Sequence, residues 1–295
     1  MQISVVSPVF NEEPHLERFL EALRAQEYSG EYEVIVVDNG STDGSMDILD
    51  ASDRVTLLRE SKRGSYAARN RGIRAARGQI LAFIDPDCIP GPGWLAAIER
   101  GMAVPGRQIL LGKREYDTPS RTLRRLSDYD TTVAKYVFSS DEPEIYFGYT
   151  NNMAVRRSLF ETVGLFHEIL RGADTVFVRN TVDALGVACV AYTPDMTVTH
   201  LEIDHIMDFY RKRVLYGMSC QRTKALGSAR PLRLKERLHV FRKTARDYGY
   251  SPLGSTELLT LLSAGVLCYE FGRWRGRWSV ESGPGPGASG ASPAS

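Results

Sequence analysis

The sequence has no GxGxxG after its first strand and no GxxxxGK[ST] anywhere, so the standard glycine cradles for phosphate are excluded. A pyrophosphate-bearing ligand would need its charge neutralised by a metal and by Arg or Lys. Cysteine is scarce. Cys88, Cys189, Cys220 and Cys268 lie far apart and fit neither a CxxC metal pattern nor a dense disulfide framework, which points to a reducing, cytoplasmic setting. Net charge is close to absent, +1 over 295 residues, and gives no case for a nucleic-acid partner. Long hydrophobic runs are missing too. The longest, Leu258 to Tyr269, is bounded by Glu257 and Glu270, is too short to span a bilayer and reads as a buried helix. Strand-like residues begin at Ile3 with no basic stretch before them, so no signal peptide is expected.

What is present centres on Gln79-Ile80-Leu81-Ala82-Phe83-Ile84-Asp85-Pro86-Asp87, an apolar run that ends in two carboxylates. Side chains alternate in an extended chain, which would put Asp85 and Asp87 on one side of the strand end. Carboxylates about 4 Å apart repel by roughly 4 kcal/mol at an effective dielectric of 20. A hard divalent cation, Mg2+ or Mn2+, reverses that sign. Spacing alone proves little, because Asp128-Tyr129-Asp130 repeats it in a segment that reads as helix, where i and i+2 do not face each other. Position at a strand end is the signal.

Three more strand-turn-helix units precede that run. Ile3 to Phe10 leads into Asn11-Glu12-Glu13-Pro14 and an amphipathic helix, and Glu33 to Asp38 leads into Asn39-Gly40-Ser41 and a second helix. Arg54 to Arg59 leads into a helix from Tyr66 to Ala76. Apolar strands alternating with helices predict an α/β fold with a parallel sheet covered on both faces, binding ligands at the strands' carboxyl ends. Phe10-Asn11-Glu12, Asp38-Asn39-Gly40-Ser41 and Asp85-Pro86-Asp87 should then share one crevice. Asp38 taken alone is equally a turn former or a helix cap.

Later segments read as a strand at Gln108 to Lys113, a helical insertion at Thr118 to Phe138, and a turn into a strand at Phe147 to Arg157. A helix starts near Asp174, whose carboxylate is also a natural N-cap, and strands follow at Val187 to Tyr192 and Met196 to His200. From Asp204 onward the pattern is helical, and Arg211 to Arg246 holds 12 Lys and Arg against the single acid Glu236. That segment is either a solvated face or a contact for anionic phosphate or lipid head groups. The Gly, Pro, Ala and Ser tail reads as disordered.

Assembled in order, Ser7-Pro8-Val9-Phe10-Asn11-Glu12-Glu13, Val37-Asp38-Asn39-Gly40-Ser41-Thr42-Asp43-Gly44, Ala67-Ala68-Arg69-Asn70-Arg71-Gly72-Ile73, Phe83-Ile84-Asp85-Pro86-Asp87 and Pro92-Gly93-Trp94-Leu95 resemble the motifs of family 2 glycosyltransferases. The resemblance covers about residues 1 to 217. It implies the GT-A fold, a Rossmann-like, mostly parallel sheet with a nucleotide half (about 1–105) and an acceptor half (about 106–217). A helical region (218–278) and a disordered tail (279–295) would follow. It implies that Asp38 accepts from the base of a nucleoside diphosphate sugar, with Pro8 and Phe10 lining the base pocket, Glu12 near the ribose and Arg69 near the nucleotide. Asp87 would hold the metal, with Asp85 on the ribose or on the metal through water, and His200 would match a C-terminal histidine that is often a metal ligand. Asn151 and Asn152 fall on the acceptor side, and Arg211, Arg213 and Tyr216 match a segment near the pyrophosphate. Asp174 takes the place of the catalytic base, with Glu168 as a weaker candidate.

The family usually carries Glu-Asp where this sequence has Ala173-Asp174, which bears on the acceptor. The resemblance therefore implies metal-dependent, inverting transfer from a UDP-sugar or related donor to an acceptor hydroxyl, in glycan, glycolipid or polysaccharide synthesis. Rival readings are a retaining transferase or sugar nucleotidyltransferase of the same fold, and a silent nucleotide-sugar binding module favoured by Ala173 alone. Peripheral attachment to the inner face of a membrane through the basic helices is a separate expectation.

Overall fold

The computed structural model describes residues 2–201, 203, 205–227 and 229–281. Its first half follows the alternating pattern: β1 (Ile3–Val9), α1 (Glu13–Arg24), β2 (Tyr32–Asp38), α2 (Ser45–Asp50), β3 (Thr56–Arg59), α3 (Ser65–Ala75) and β4 (Ile80–Ile84). Every residue of β1 and β4 is buried, because helices cover both faces of the sheet. Alternation along β1 sends Val5 towards Leu16 and Phe19 of α1, and Val6 towards Ala68 and Ile73 of α3.

The second half comprises β5 (Cys88–Pro90), α4 (Trp94–Met102), β6 (Ile109–Tyr116), α5 (Arg121–Val137), β7 (Asn152–Arg156), α6 (Leu159–Val163), α7 (Ala173–Leu185), β8 (Val190–His200), α8 (Ile206–Ala225), α9 (Leu234–Asp247) and α10 (Pro252–Glu281). One eight-stranded sheet results, in the order β3-β2-β1-β4-β7-β6-β8-β5. The first four strands are parallel, β7 runs antiparallel to both β4 and β6, and β6 and β8 are again parallel. The expected mostly parallel α/β sheet is therefore present, with the antiparallel β7 at its centre.

Four details depart from the sequence reading. Val187 to Tyr192 and Met196 to His200 are not two strands: Val187–Cys189 is a short 3-10 turn, and Val190–His200 is one continuous strand. It stays continuous because Pro194, Asp195 and Met196 are absorbed as a bulge, Gly112 pairing with Thr193 and Lys113 with Thr197. Gly112 is required there, since a Cβ would fall 2.2 Å from the Met196 carbonyl and 2.3 Å from Asn152 Nδ2. Leu258 to Tyr269 is helical but not buried: Leu258 is covered, whereas Leu259, Val266 and Leu267 face solvent. Helix α10 packs closely on α8, where Gly217 and Gly272 let the two backbones approach, and its Leu258 side packs on α5, which leaves Leu259, Val266 and Leu267 on the remaining face. The boundary expected at 217 falls inside α8. Helix α10 continues to Glu281 and so takes in the first three residues of the expected tail, and 282–295 lie outside the described residues. Asp128 and Asp130 do diverge, the first accepting from Tyr250 and the second from Tyr116.

Candidate active site

Two cavities open side by side at the carboxyl ends of the parallel strands. The first, about 580 Å3, is walled by Pro8, Phe10, Glu12, Asn39, Arg69, Asp85 and Asp87, so the three strand-end loops do meet. Side chains lace them together. Asn11, in the left-handed region at φ 56°, accepts from Thr42 N–H at 2.8 Å and donates its own N–H to Ser41 Oγ at 3.0 Å. Glu12 N–H donates to Ser45 Oγ at 2.9 Å. Phe10 stands 42% exposed with the Arg63 guanidinium 5.1 Å from its ring centre, an open aromatic face edged by a cation. Asp38 is buried behind this rim, and its carboxylate accepts from Gly40 N–H at 3.1 Å and Ser41 N–H at 3.0 Å. It is thus the turn former that its residue type allowed, whatever else its remaining lone pairs accept.

The Asp85-Pro86-Asp87 segment is not an extension of β4. Cys88 N–H donates to the Asp85 carbonyl at 3.0 Å, closing a turn, so the carboxylates diverge and do not share one strand face. Asp85 pairs with Arg69, which is 3% exposed and lies 5.4 Å from the Tyr66 ring. Asp87 Oδ2 faces His200 Nδ1 at 3.7 Å, because β5 pairs with β8 and sets Cys88 opposite His200. Possible ligand atoms of Asp87, Cys88 and His200 all lie within 4.8 Å of one another. Burial, with the Asp87 and Asp85 carboxylates alongside, pushes the Cys88 thiol well up, and it donates to Asp87 Oδ1 at 3.2 Å. Asp87 and His200 are the residues here that fit a divalent ion, while Asp85 is engaged by Arg69.

The second cavity, about 480 Å3, shares Arg69, Asp85, Leu170 and Arg171 with the first. Asp174 lines it from the first turn of α7. Gly172 is the N-cap, and Asp174 accepts from Thr175 N–H at 2.8 Å and Thr150 N–H at 3.2 Å. Burial raises its carboxyl above the ordinary 3.8, against hydrogen bonds from Thr175, Tyr66 and Thr150 and the charge of Arg69. Burial, with Asp174 alongside, pushes the Tyr66 phenol well up, so Tyr66 remains a neutral donor. Glu168 lines the first cavity instead. Lys62 at 2.5 Å and Asn70 at 3.1 Å hold it below the usual carboxylate range, which makes it a poor base.

Not every expected residue reaches these walls. Asn151 lines the second cavity with its Oδ1 buried and unpartnered. Asn152 does not: it is fully buried, accepts from Trp94 Nε1 at 2.9 Å, and donates to the Lys113 and Met196 carbonyls at 2.8 Å each. Beside the β8 bulge, Asn152 holds both of those carbonyls, so it is a strut and not an acceptor contact. Arg213 and Tyr216 line the cavity, but Arg211 points to solvent and pairs with Asp208 at 3.1 Å. One helix face presents Lys212, Arg213 and Tyr216, and Arg211 falls off that face. Lys212, passed over in the sequence, puts Nζ 3.3 Å from His200 Nε2. Tyr66, Arg114, Asp130 and Arg171 were missed as well. Helical spacing from Tyr216 was a signal available in the sequence, since Lys212 lies four residues before it. Ala173 is completely buried in the apolar core and is not part of the cavity wall, so the departure from Glu-Asp does not face the acceptor space.

The chain is similar to known proteins in sequence and in fold. The chain is 35% identical over 194 residues to the glycosyltransferase AglE of Haloferax volcanii, which is 62% of each protein. It is 32% identical over 126 residues to chondroitin synthase of Escherichia coli, 41% of this chain and 18% of that one. The match thus spans less than two thirds of either relative. Among solved structures, a mannosyltransferase of Pyrobaculum calidifontis in complex with GDP-Man and Mn2+ superimposes with a TM-score of 0.61 at 20% identity, covering 97% of this chain and 76% of that one. TarS of S. aureus in complex with UDP-GlcNAc gives 0.55 at 17% identity, covering 95% and 92%. Both share the GT-A fold with this chain. The model of glycosyl transferase family 2 matches residues 4–164, more than half of the sequence, and the chain belongs to that family.

Proposed function

We infer that the chain transfers a sugar from a nucleoside diphosphate sugar, with uridine favoured, to an acceptor hydroxyl with inversion. The observation that carries this is the junction of the two cavities: donor-side groups Arg69, Asp85 and Asp87 meet a carboxylate, Asp174, that looks in from the acceptor side. The base stacks against Phe10 and Pro8, with Asp38 holding the loop beneath it. Glu12 and Asp85 face the ribose. Lys212 and Arg213 on one face of α8, with Arg171 on the rim, neutralise the diphosphate, and Tyr216 on the same face donates a hydrogen bond to it.

Asp87 and His200 are the residues that would hold a divalent cation. The imidazole departs from the all-oxygen shell that Mg2+ prefers and favours Mn2+. When bound, that ion supplies Lewis-acid stabilisation of the departing diphosphate. Asp174 takes the acceptor proton as the acceptor oxygen attacks, and a positioned base contributes about 10²- to 10⁴-fold. Of the carboxylates on this cavity, Asp85 is paired with Arg69 and Asp130 with Arg213, which leaves Asp174 as the base. Attack opposite the leaving group inverts the anomeric centre. Bound UDP-GlcNAc and GDP-Man in the structural neighbours support a nucleotide-sugar donor.

The basic helices α8 and α9 support peripheral contact with an anionic membrane face on the cytoplasmic side. Among the described residues, no helix is long and apolar enough to cross a membrane. A donor panel of UDP- and GDP-sugars with Mn2+, read by release of nucleoside diphosphate, tests the assignment. Asp174→Asn should lower turnover about 10²- to 10⁴-fold with donor binding intact, and Asp87→Ala should abolish metal-dependent donor binding. Wild-type turnover in both variants refutes it.

A further inference from the structure

An apolar groove of about 670 Å3 continues the acceptor cavity away from Asp174. Val133 of α5, Phe209 of α8, Leu238 of α9, and Leu262 and Val266 of α10 form its walls. Asp130, Val133, Phe209 and Arg213 line both spaces, so the groove and the reaction cavity are neighbours through shared side chains. Leu234 and Leu267 on its rim are 73% and 71% exposed. An apolar cleft of this size opening on a catalytic cavity has the character of a ligand site. Cations sit along it: Arg213 is 3.3 Å from Asp130 and over the Phe209 ring at 4.7 Å, and Arg237 enters the wall with Nε donating to the Leu232 carbonyl at 2.8 Å.

We propose that this groove receives the hydrocarbon chain of the acceptor, which is an anionic amphiphile: a long-chain lipid phosphate that already carries a sugar. The chain lies along α9 and α10, the phosphate meets Arg237, and a hydroxyl of the carried sugar reaches Asp174. This rests on the transferase reading above. The step is the one already described: the acceptor oxygen bonds to the anomeric carbon, the bond to the diphosphate breaks with its electron pair, and the acceptor proton passes to Asp174. A linear chain suits a groove that begins at the reaction cavity, whereas a second protein copy seated there would also close off the acceptor.

The test is calorimetry of the full chain with monomeric n-alkyl phosphates from hexyl to dodecyl, below their micelle concentrations. Inorganic phosphate serves as the head-group arm and phosphatidylglycerol vesicles as the surface arm. Affinity should rise about fourfold per added methylene until the groove is full, with inorganic phosphate binding far more weakly. Leu238→Glu and Val266→Glu, both at solvent-facing positions, should flatten that dependence while UDP–Mn2+ binding is unchanged. Arg237→Ala should weaken every chain length by one common factor. Affinity independent of chain length, or a chain-length dependence that survives Val266→Glu, overturns the proposal. So does sedimentation showing a wild-type dimer that Val266→Glu dissociates, or vesicle binding without binding of monomeric alkyl phosphate. Loss of UDP–Mn2+ binding alongside intact chain-length dependence would sink the transferase reading and leave the groove standing.

Discussion

Replacing Asn152 by leucine separates a strut from an acceptor contact. The leucine side chain is close in volume, so no large cavity opens, but three hydrogen bonds disappear. Trp94 Nε1 and the carbonyls of Lys113 and Met196 are left in a region where Asn152 itself has 0% exposure. A buried polar group deprived of its partner costs about 1–3 kcal/mol. With the carbonyls at the low end and the indole N–H in the middle, the sum is about 4 kcal/mol. At about 2–4 °C per kcal/mol, the melting midpoint should fall by roughly 10 °C. Differential scanning calorimetry gives that shift, and UDP–Mn2+ binding and acceptor KM measured well below the lowered midpoint give the functional arm. Both functional quantities should stay at wild-type values. A fall of less than about 2 °C together with a raised acceptor KM would show that Asn152 faces the acceptor and that the strut argument fails.

Two contrasts complete the set. Arg211→Ala removes an exposed pair with Asp208 and should leave UDP–Mn2+ affinity unchanged, whereas Lys212→Ala should weaken it about 10- to 100-fold through loss of a charge-assisted contact; calorimetry giving equal effects would reverse the assignment. Asp174 must be ionised to act, so turnover should rise with pH through its pKa, and burial places that acidic limb above pH 3.8. Tyr66→Phe deletes a hydrogen bond that stabilises the carboxylate, so the limb in the pH profile of kcat should move further up; an unmoved or lowered limb refutes the contact's role.

The donor half was legible in the sequence because its signals are local. A parallel strand buried on both faces reads as a continuous apolar run, and its carboxyl-terminal loop holds the polar residues, so the loops that carry Phe10, Glu12 and Asp87 could be placed at one crevice from their own neighbourhoods. The acceptor half was harder. Asn151 and Asn152 look alike in the chain, yet a bulge about 40 residues downstream turns one into a strut and leaves the other on the cavity wall. Arg211 was chosen over Lys212 by motif, and only the helix rotation against β8 distinguishes them.

Periodicity and strand-end placement by themselves determined the parallel strands β1 to β4, the loops that share a crevice, and Asp174 as a carboxylate near a helix start, because backbone geometry forces those relations within a few residues. Tertiary structure alone decided that Asp87 pairs with His200, that Asp85 belongs to Arg69, and that Ala173 faces the core. It also decided that Leu258 to Tyr269 forms one side of an open groove. Each of those outcomes depends on which surfaces distant segments bring together. An apolar run reads the same whether neighbouring helices cover it on all sides or, as here, α8 and α5 cover part of it and leave Leu259, Val266 and Leu267 exposed.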